Sequence, residues 1–238
     1  MAQHGRRYTS PGRTAARYVA QRGILKPTVW SVVSPTIIGR ERLKKLPKAF
    51  VVVANHTSHL DAPLIVTGLP YKYARYLATG AAADYFFDVW WRRGLTGLFF
   101  NAFPVDRTGS NPKSMSARTL LEKGVPLLVF PEGTRSKDGT IAPFKSGAAA
   151  IASSAGAPIL PLAIIGAYEA HPRGSSWPKR GRLPVGLVCG DPMYAREGET
   201  AQQFMARVRE EVIRLYDTHR DDILGSPEDQ AAGEGTAS

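Results

Sequence analysis

The chain of 238 residues contains a single cysteine, Cys189, which excludes an internal disulfide and a cysteine-based zinc cluster. That usage is compatible with a reducing compartment. Long apolar runs are missing as well. No window holds eighteen uninterrupted apolar residues, so a conventional membrane-spanning helix is not expected. The first residues lack the short apolar core and small-residue cleavage site of a signal peptide, and export by that route is not expected either. Acidic residues are scarce at one end: residues 1–48 hold eleven Lys or Arg against one acid, Glu41, whereas the rest of the chain carries 20 basic and 19 acidic groups. Otherwise the composition is ordinary for a folded chain, 43% hydrophobic and 21% charged, which excludes collagen-like, disulfide-stapled and wholly disordered proteins. The length suits one domain with at most a small appendage.

A basic end of this kind is drawn to polyanions, either nucleic acid or an anionic bilayer face, unless it is merely a solubilising tail. Residues 1–14 are polar, basic and aperiodic, which predicts a disordered tail. Residues 15–48 mix apolar positions such as Tyr18, Val19, Ile24, Val29 and Trp30 with Arg17, Arg22 and Lys26. Gly23, Pro27 and Pro35 break any long helix there. The pattern predicts short amphipathic segments that lie on a membrane, or that pack against the body instead.

Residues 49–224 alternate in an α/β manner. Continuous apolar runs at 50–54, 126–130, 159–164 and 185–189 predict strands buried on both faces, and 75–78 and 102–105 are weaker strand candidates. Helix signals lie between them. Asn111-Pro112 opens one helix and Lys123-Gly124 closes it, while Thr200 with Gln203 forms a capping box before the stripe Phe204, Val208, Val212 and Tyr216. Phe144 to Ala155 is rich in small residues and suits a helix close to the sheet. The expected fold class is α/β, a single mostly parallel sheet flanked by helices, with an N-terminal basic amphipathic helical segment. Residues 225–238 form an acidic tail predicted to be disordered.

In open α/β sheets, ligands bind beyond the carboxyl ends of strands. Three polar clusters occupy such positions: Asn55-His56-Thr57-Ser58-His59-Leu60-Asp61, Asp106-Arg107-Thr108-Gly109, and Pro131-Glu132-Gly133-Thr134-Arg135-Ser136. If their strands are parallel, the three clusters share one edge. The first suggests proton transfer, with a histidine as general base and a carboxylate to fix its tautomer. His56 and Asp61 are five apart and meet only if His56 precedes a helix that contains Asp61 in its first turns, with Thr57 or Ser58 as its cap. Two other readings stand beside this one: His56 and His59, spaced H-x-x-H, as metal ligands, and His56 as a merely hydrogen-bonded residue. In the second and third clusters, Arg107 and Arg135 can grip a phosphate or carboxylate. There is no G-x-S-x-G, and neither a P-loop nor G-x-G-x-x-G follows a strand, so serine-nucleophile, nucleotide-hydrolysis and dinucleotide readings lose support.

N-H-T-S-H-L-D at 55–61 and F-P-E-G-T-R-S at 130–136 resemble two signature blocks of the glycerophospholipid acyltransferases, whose best-known members are the 1-acylglycerol-3-phosphate O-acyltransferases. A third block of that family, roughly G-x-x-F-x-x-R, aligns with Asn101 to Arg107, and a fourth with Ala157 to Leu162. The four occur in family order. Asn101 stands where the family usually has glycine, and Pro104 where it has an aromatic residue, with Phe103 adjacent; these departures bear on the local backbone and on acceptor choice.

The resemblance implies transfer of a fatty acyl group from acyl-CoA or acyl-carrier protein to the free hydroxyl of 1-acylglycerol 3-phosphate, giving phosphatidic acid. His56 then matches the family's base and Asp61 its partner, while Arg107, Glu132, Gly133 and Arg135 match positions associated with the phosphate-bearing acceptor. No cofactor or metal is expected beyond the thioester co-substrate. The alternatives are another lysophospholipid or a non-glycerol lipid as acceptor, or a non-catalytic membrane-lipid-binding module. A nucleic-acid partner is not expected, since no recognition motif accompanies the basic end. Residues 84–100 place seven of the 22 aromatic residues around Arg92 and Arg93, a density suited to a membrane interface. With the basic end, this predicts peripheral binding at the cytoplasmic face of the cell membrane.

Overall fold

The computed structural model describes residues 8–82, 97–105 and 117–225. Among the described residues, seven strands form one sheet: β1 (Ser34–Ile38), β2 (Val51–Ala54), β3 (Ala78–Ala82), β4 (Phe103–Val105), β5 (Leu127–Val129), β6 (Ile159–Ile165) and β7 (Pro184–Cys189), in the order β1-β7-β6-β2-β5-β3-β4. The helices are α1 (Pro11–Tyr18), α2 (Lys26–Val32), α3 (Asp61–Gly68), α4 (Tyr71–Ala74), α5 (Ala117–Glu122), α6 (Gly147–Ser154), α7 (Ala167–Ala170) and α8 (Ala201–Leu224). All neighbouring strands are parallel except β6 and β7, which pair antiparallel with Ala163 opposite Val188. The sheet is therefore mostly parallel, and β1 and β7 run against the other five.

The apolar runs owe their continuity to burial on both faces. On β2, Val52 and Ala54 pack towards α2 and α3 with Leu128, Leu160 and Leu162. Val51 and Val53 face the other way, towards α5, α6 and α8, with Leu127, Ile159 and Phe204. All four β2 side chains are fully buried, and each valine contributes roughly 1.5–3 kcal/mol of apolar burial. Small residues do what the sequence predicts in α6: Ala148, Ala149 and Ala152 are buried and the helix sits against β2. In α8 the capping box is formed, with the Gln203 amide N–H donating to Thr200 Oγ1 and the Thr200 N–H to Gln203 Oε1. Phe204, Val208 and Val212 are buried as expected, but the stripe then drifts to Leu215 and Ile223, because a 3.6-residue turn does not hold a spacing of four.

The N-terminal third is helical as expected and packs against the body, but its boundaries differ. Residues 8–14 belong to the folded body: Tyr8 is buried and α1 starts at Pro11. Neither Gly23 nor Pro27 breaks the helix. A π-helical stretch, Val19–Leu25, joins α1 to α2 with right-handed dihedrals at both junctions, and its wider turns accommodate the proline that lacks an N–H. Residues 34–38 are an edge strand of the sheet, so the folded domain starts well before residue 49.

The cations of this region are largely engaged with the body. Arg17 is buried, and donates to the Arg75 carbonyl (2.9 Å) and to Asn101 Oδ1 (2.6 Å). Arg22 donates to the carbonyls of Thr67 and Leu69, which the C-terminus of α3 leaves unbonded, and burial lowers its pKa. Arg42 binds the Cys189 carbonyl, and Lys45 pairs with Asp191. Much of the positive charge therefore closes helix and strand ends. Outward-facing Tyr18, Val19 and Ile24 remain 47–63% exposed on the same helical run.

Asn101 explains the departure from the family's glycine. Its φ is 51°, in the left-handed region that glycine favours and asparagine tolerates, so the local backbone that glycine would allow is kept. Its side chain then bridges Arg17 to the Tyr76 carbonyl. Residues 83–96, 106–116 and 226–238 lie outside the described residues, and with them the Asn111-Pro112 helix start, most of the aromatic stretch and the acidic tail. At the end of that aromatic stretch, Phe100 is half-buried against the core and the Phe99 carbonyl accepts from Gln21.

Replacing Asn101 by Ala removes a buried partner of a guanidinium while keeping the left-handed backbone strained. A loss of about 2 kcal/mol is expected, since hydrogen bonds to charged groups contribute roughly 1.5–3 kcal/mol. Denaturant titration of both proteins measures it, and an unchanged midpoint would show that the Arg17–Asn101 contact contributes nothing.

Candidate active site

β2 and β5 are adjacent and parallel, with Val53 beside Val129, so the chain leaves both strands at the same edge. This brings the first and third polar clusters together. At the end of β2 the Asn55 side chain acts as an extra strand residue: its amide donates to the Ile164 carbonyl and its Oδ1 accepts the Ile164 N–H, both at 2.8 Å. The next residue, His56, is held on its main chain by the β5 loop. Its N–H donates to Glu132 Oε1 (2.7 Å) and its carbonyl accepts the Ser136 N–H (2.8 Å).

The His56 ring is fixed from two sides. Nδ1 lies 2.8 Å from Asp61 Oδ2, and the ring stacks on Phe130 with centroids 4.1 Å apart and planes 19° from parallel. As the sequence predicts, His56 precedes α3 and Asp61 opens it. Asp61 is fully buried, and the same Oδ2 accepts the Thr57 and Ser58 N–H groups at 2.7 and 2.8 Å. Neither Thr57 nor Ser58 caps α3 in the expected way: the N-cap is Leu60, and it is the Asp61 carboxylate that collects the preceding amides. Ser58 Oγ donates instead to the His171 carbonyl. A carboxylate facing Nδ1 requires a proton there in neutral imidazole, which leaves Nε2 with its lone pair.

His59 stands apart from the His56–Asp61 pair. Its ring lies 5.9 Å from that of His171, and partial burial together with the nearby positive charge of Arg135 lowers its pKa. Glu132 lies 7% exposed, with Oε1 on the His56 N–H and Oε2 on the Ala142 N–H. Burial raises its pKa, and the two amide bonds oppose that rise. Its carboxylate thus braces protein main chain, where the family likeness places it near the acceptor. Gly133 turns with φ 78°, and a β-carbon there would come within 2.8 Å of the Lys145 ammonium. The Arg135 carbonyl accepts from Arg173. Arg107 falls outside the described residues, beyond the end of β4.

Three contributors were not singled out from the sequence. Phe130 stacks on the base, Asn55 locks the strand end, and Lys145 lies over the Gly133 turn. Phe130 and Asn55 stand inside the two signature blocks, which is the signal that marks them. Lys145 has no such mark: only the fold returns residue 145 to the loop, through its N–H on the Pro131 carbonyl.

Comparisons with known proteins bear on the family. A family model described as Acyltransferase matches residues 34–165, which include both polar loops. A 1-acyl-sn-glycerol-3-phosphate acyltransferase of Chlamydomonas reinhardtii is 37% identical over 156 residues, covering 64% of this chain and 44% of that protein. The alpha form from Mus musculus is 31% identical over 186 residues, covering 74% and 61%. The chain spans about half the length of the curated relatives it matches. Among solved structures, the 1-acyl-sn-glycerophosphate (LPA) acyltransferase PlsC from Thermotoga maritima superposes with a TM-score of 0.64 at 28% identity, covering 88% of this chain and 85% of that one. With the matched region spanning more than half of its length and both polar loops inside it, the chain belongs to the acyltransferase family.

Proposed function

We propose that this protein is a 1-acylglycerol-3-phosphate O-acyltransferase in which His56 is the general base. The observation that carries the reading is the His56–Asp61 pair, held at the end of β2 against the loop that contains Arg135. Nε2 of His56 takes the proton from the acceptor's free hydroxyl as that oxygen attacks the thioester carbonyl. The tetrahedral intermediate collapses, the ester forms, and the thiolate leaves. Asp61 stabilises the imidazolium and keeps the ring in place. A thioester is already activated, so no enzyme nucleophile is needed. The donor is acyl-CoA or acyl-carrier protein, with no cofactor.

Cations around the Gly133 turn bind the acceptor's phosphate. Arg135 and Lys145 stand at that turn, and Arg107 is assigned to the same phosphate from the family resemblance. Holding the phosphate converts an encounter into a positioned reaction. Glu132 is a positioning residue that fixes the His56 main chain, while Gly133 keeps the turn open for the phosphate. Residues 15–48 bring the enzyme to the membrane, through exposed Tyr18, Val19 and Ile24 rather than through the buried arginines. The enzyme then works peripherally at the cytoplasmic face, where anionic lipid attracts the basic end.

The central test is transfer of labelled acyl groups to 1-acylglycerol 3-phosphate. His56→Ala is expected to lose on the order of a hundredfold or more in kcat with its fold intact, and His59→Ala far less. Near-native turnover by His56→Ala would exclude the proposed base. A chelator should leave the wild-type rate unchanged; loss that zinc restores would support the His56/His59 metal reading. Asp61 makes a spectroscopic prediction of its own. In nitrogen NMR, neutral His56 should carry its proton on Nδ1, and Asp61→Ala should move it towards Nε2.

Phosphate binding and base positioning separate kinetically. Arg107→Ala is expected to raise KM for the phosphate-bearing acceptor tenfold or so, given roughly 1.5–3 kcal/mol for a charge-assisted bond, with little change for acyl-CoA. Glu132→Gln should lower kcat with KM for that acceptor nearly unchanged. A KM effect alone at Glu132 would return that carboxylate to the acceptor site.

A further inference from the structure

The connection between β6 and β7 carries a feature that acyl transfer does not explain. After α7, residues 171–183 read His-Pro-Arg-Gly-Ser-Ser-Trp-Pro-Lys-Arg-Gly-Arg-Leu: four cations and no acid. Trp177 is 79% exposed, the most exposed large apolar side chain among the described residues. Leaving an indole in water has no packing benefit, and soluble proteins bury most of each tryptophan. Arg173, Lys179, Arg180 and Arg182 flank it in sequence and are themselves exposed, and none forms a salt bridge among the described residues.

The loop that presents this indole has a defined shape. His171 is buried and its Nε2 donates to the Ser175 carbonyl (3.1 Å). Ser175 Oγ donates to the Trp177 carbonyl (3.0 Å), the Ser175 N–H to the Pro172 carbonyl, and the Lys179 N–H closes the loop on the Ala170 carbonyl (2.7 Å). Its base is joined to the candidate active site twice. Ser58, two residues after His56, donates to the His171 carbonyl, and Arg173 donates to the Arg135 carbonyl.

We propose that the 171–182 loop is a lipid-surface anchor: Trp177 enters the headgroup layer of an anionic bilayer, Arg173, Lys179, Arg180 and Arg182 bind lipid phosphates, and the active-site edge is thereby seated on the membrane. Tryptophan concentrates at that depth because its ring is apolar and its N–H is polar, and basic residues beside it add electrostatic attraction. An acidic carrier protein would satisfy the cations but offers no general reason for an isolated, projecting indole. The anchor deepens the reading as a lipid acyltransferase, yet it is measurable without turnover.

The test uses the full chain and vesicles of phosphatidylcholine with or without phosphatidylglycerol. In co-sedimentation, Trp177→Ser is expected to weaken binding to the anionic vesicles. Arg180→Ser and Arg182→Ser together should weaken it further, by about fivefold per cation at roughly 1 kcal/mol each, and only when the vesicles are anionic. In a chain whose other tryptophans are Phe, the Trp177 emission should shift to the blue on anionic vesicles and be quenched by brominated acyl chains. Native-like vesicle binding by Trp177→Ser, or an emission that stays at its aqueous position on vesicles that hold the protein, would overturn the proposal. So would a shift produced by an acidic carrier protein and not by vesicles. Acyl transfer to a short-chain, water-soluble acceptor should be unchanged by Trp177→Ser, so failure of the anchor and failure of the enzymatic reading give different results.

Discussion

One buried oxygen organises the candidate site. Asp61 Oδ2 accepts from Thr57, from Ser58 and from the His56 ring, and its residue is wholly removed from water. A carboxylate buried without partners is strongly disfavoured, so this one is stable only while the turn between β2 and α3 delivers those donors. The dependence runs both ways. The turn takes its shape from the carboxylate, and the imidazole is aimed because the turn has that shape. The β5 loop completes the arrangement by holding the His56 main chain at both polar groups and the ring by Phe130.

Sequence patterns made the central sheet visible because its chemistry is uniform. β2, β5 and β6 are apolar at every position, and burial on both faces is the only setting that tolerates this. β1 was hidden for the converse reason. It is a short edge strand in which exposed Ser34 and Thr36 alternate with half-buried Pro35 and Ile37, and the proline masks an alternation of only a few residues. The direction of β7 was invisible too, since strand polarity leaves no trace in an apolar run. At the site, the five-residue separation of His56 and Asp61 could be read as a conditional contact, one that needs His56 on the turn before the helix. The inward turn of Glu132 could not, because a carboxylate has the same letter whether it meets a ligand or a backbone amide.

The basic N-terminus shows how composition can identify a charge and misplace it. Lysine and arginine counts speak of long-range attraction, yet a guanidinium has five donors and can close the carbonyl ends of helices and strands. Arg17, Arg22 and Arg42 do so here, and their pairing across the molecule makes the N-terminal helices part of the fold. Asn101 belongs to the same arrangement. It adopts a left-handed backbone that glycine also favours, and by adding an amide it gives Arg17 a partner that glycine lacks.

The reversal between β6 and β7 has an architectural consequence. A parallel successor would require the chain to cross to the far side of the sheet before re-entering, and any insertion in such a crossover would be spread over a helical layer. An antiparallel successor enters at the edge its predecessor left. Chain length added between residues 165 and 184 therefore emerges beside the reacting groups and needs no change in the strands. This junction is a place where sequence drift can reshape what meets the reaction centre while the machinery beneath it stays constant.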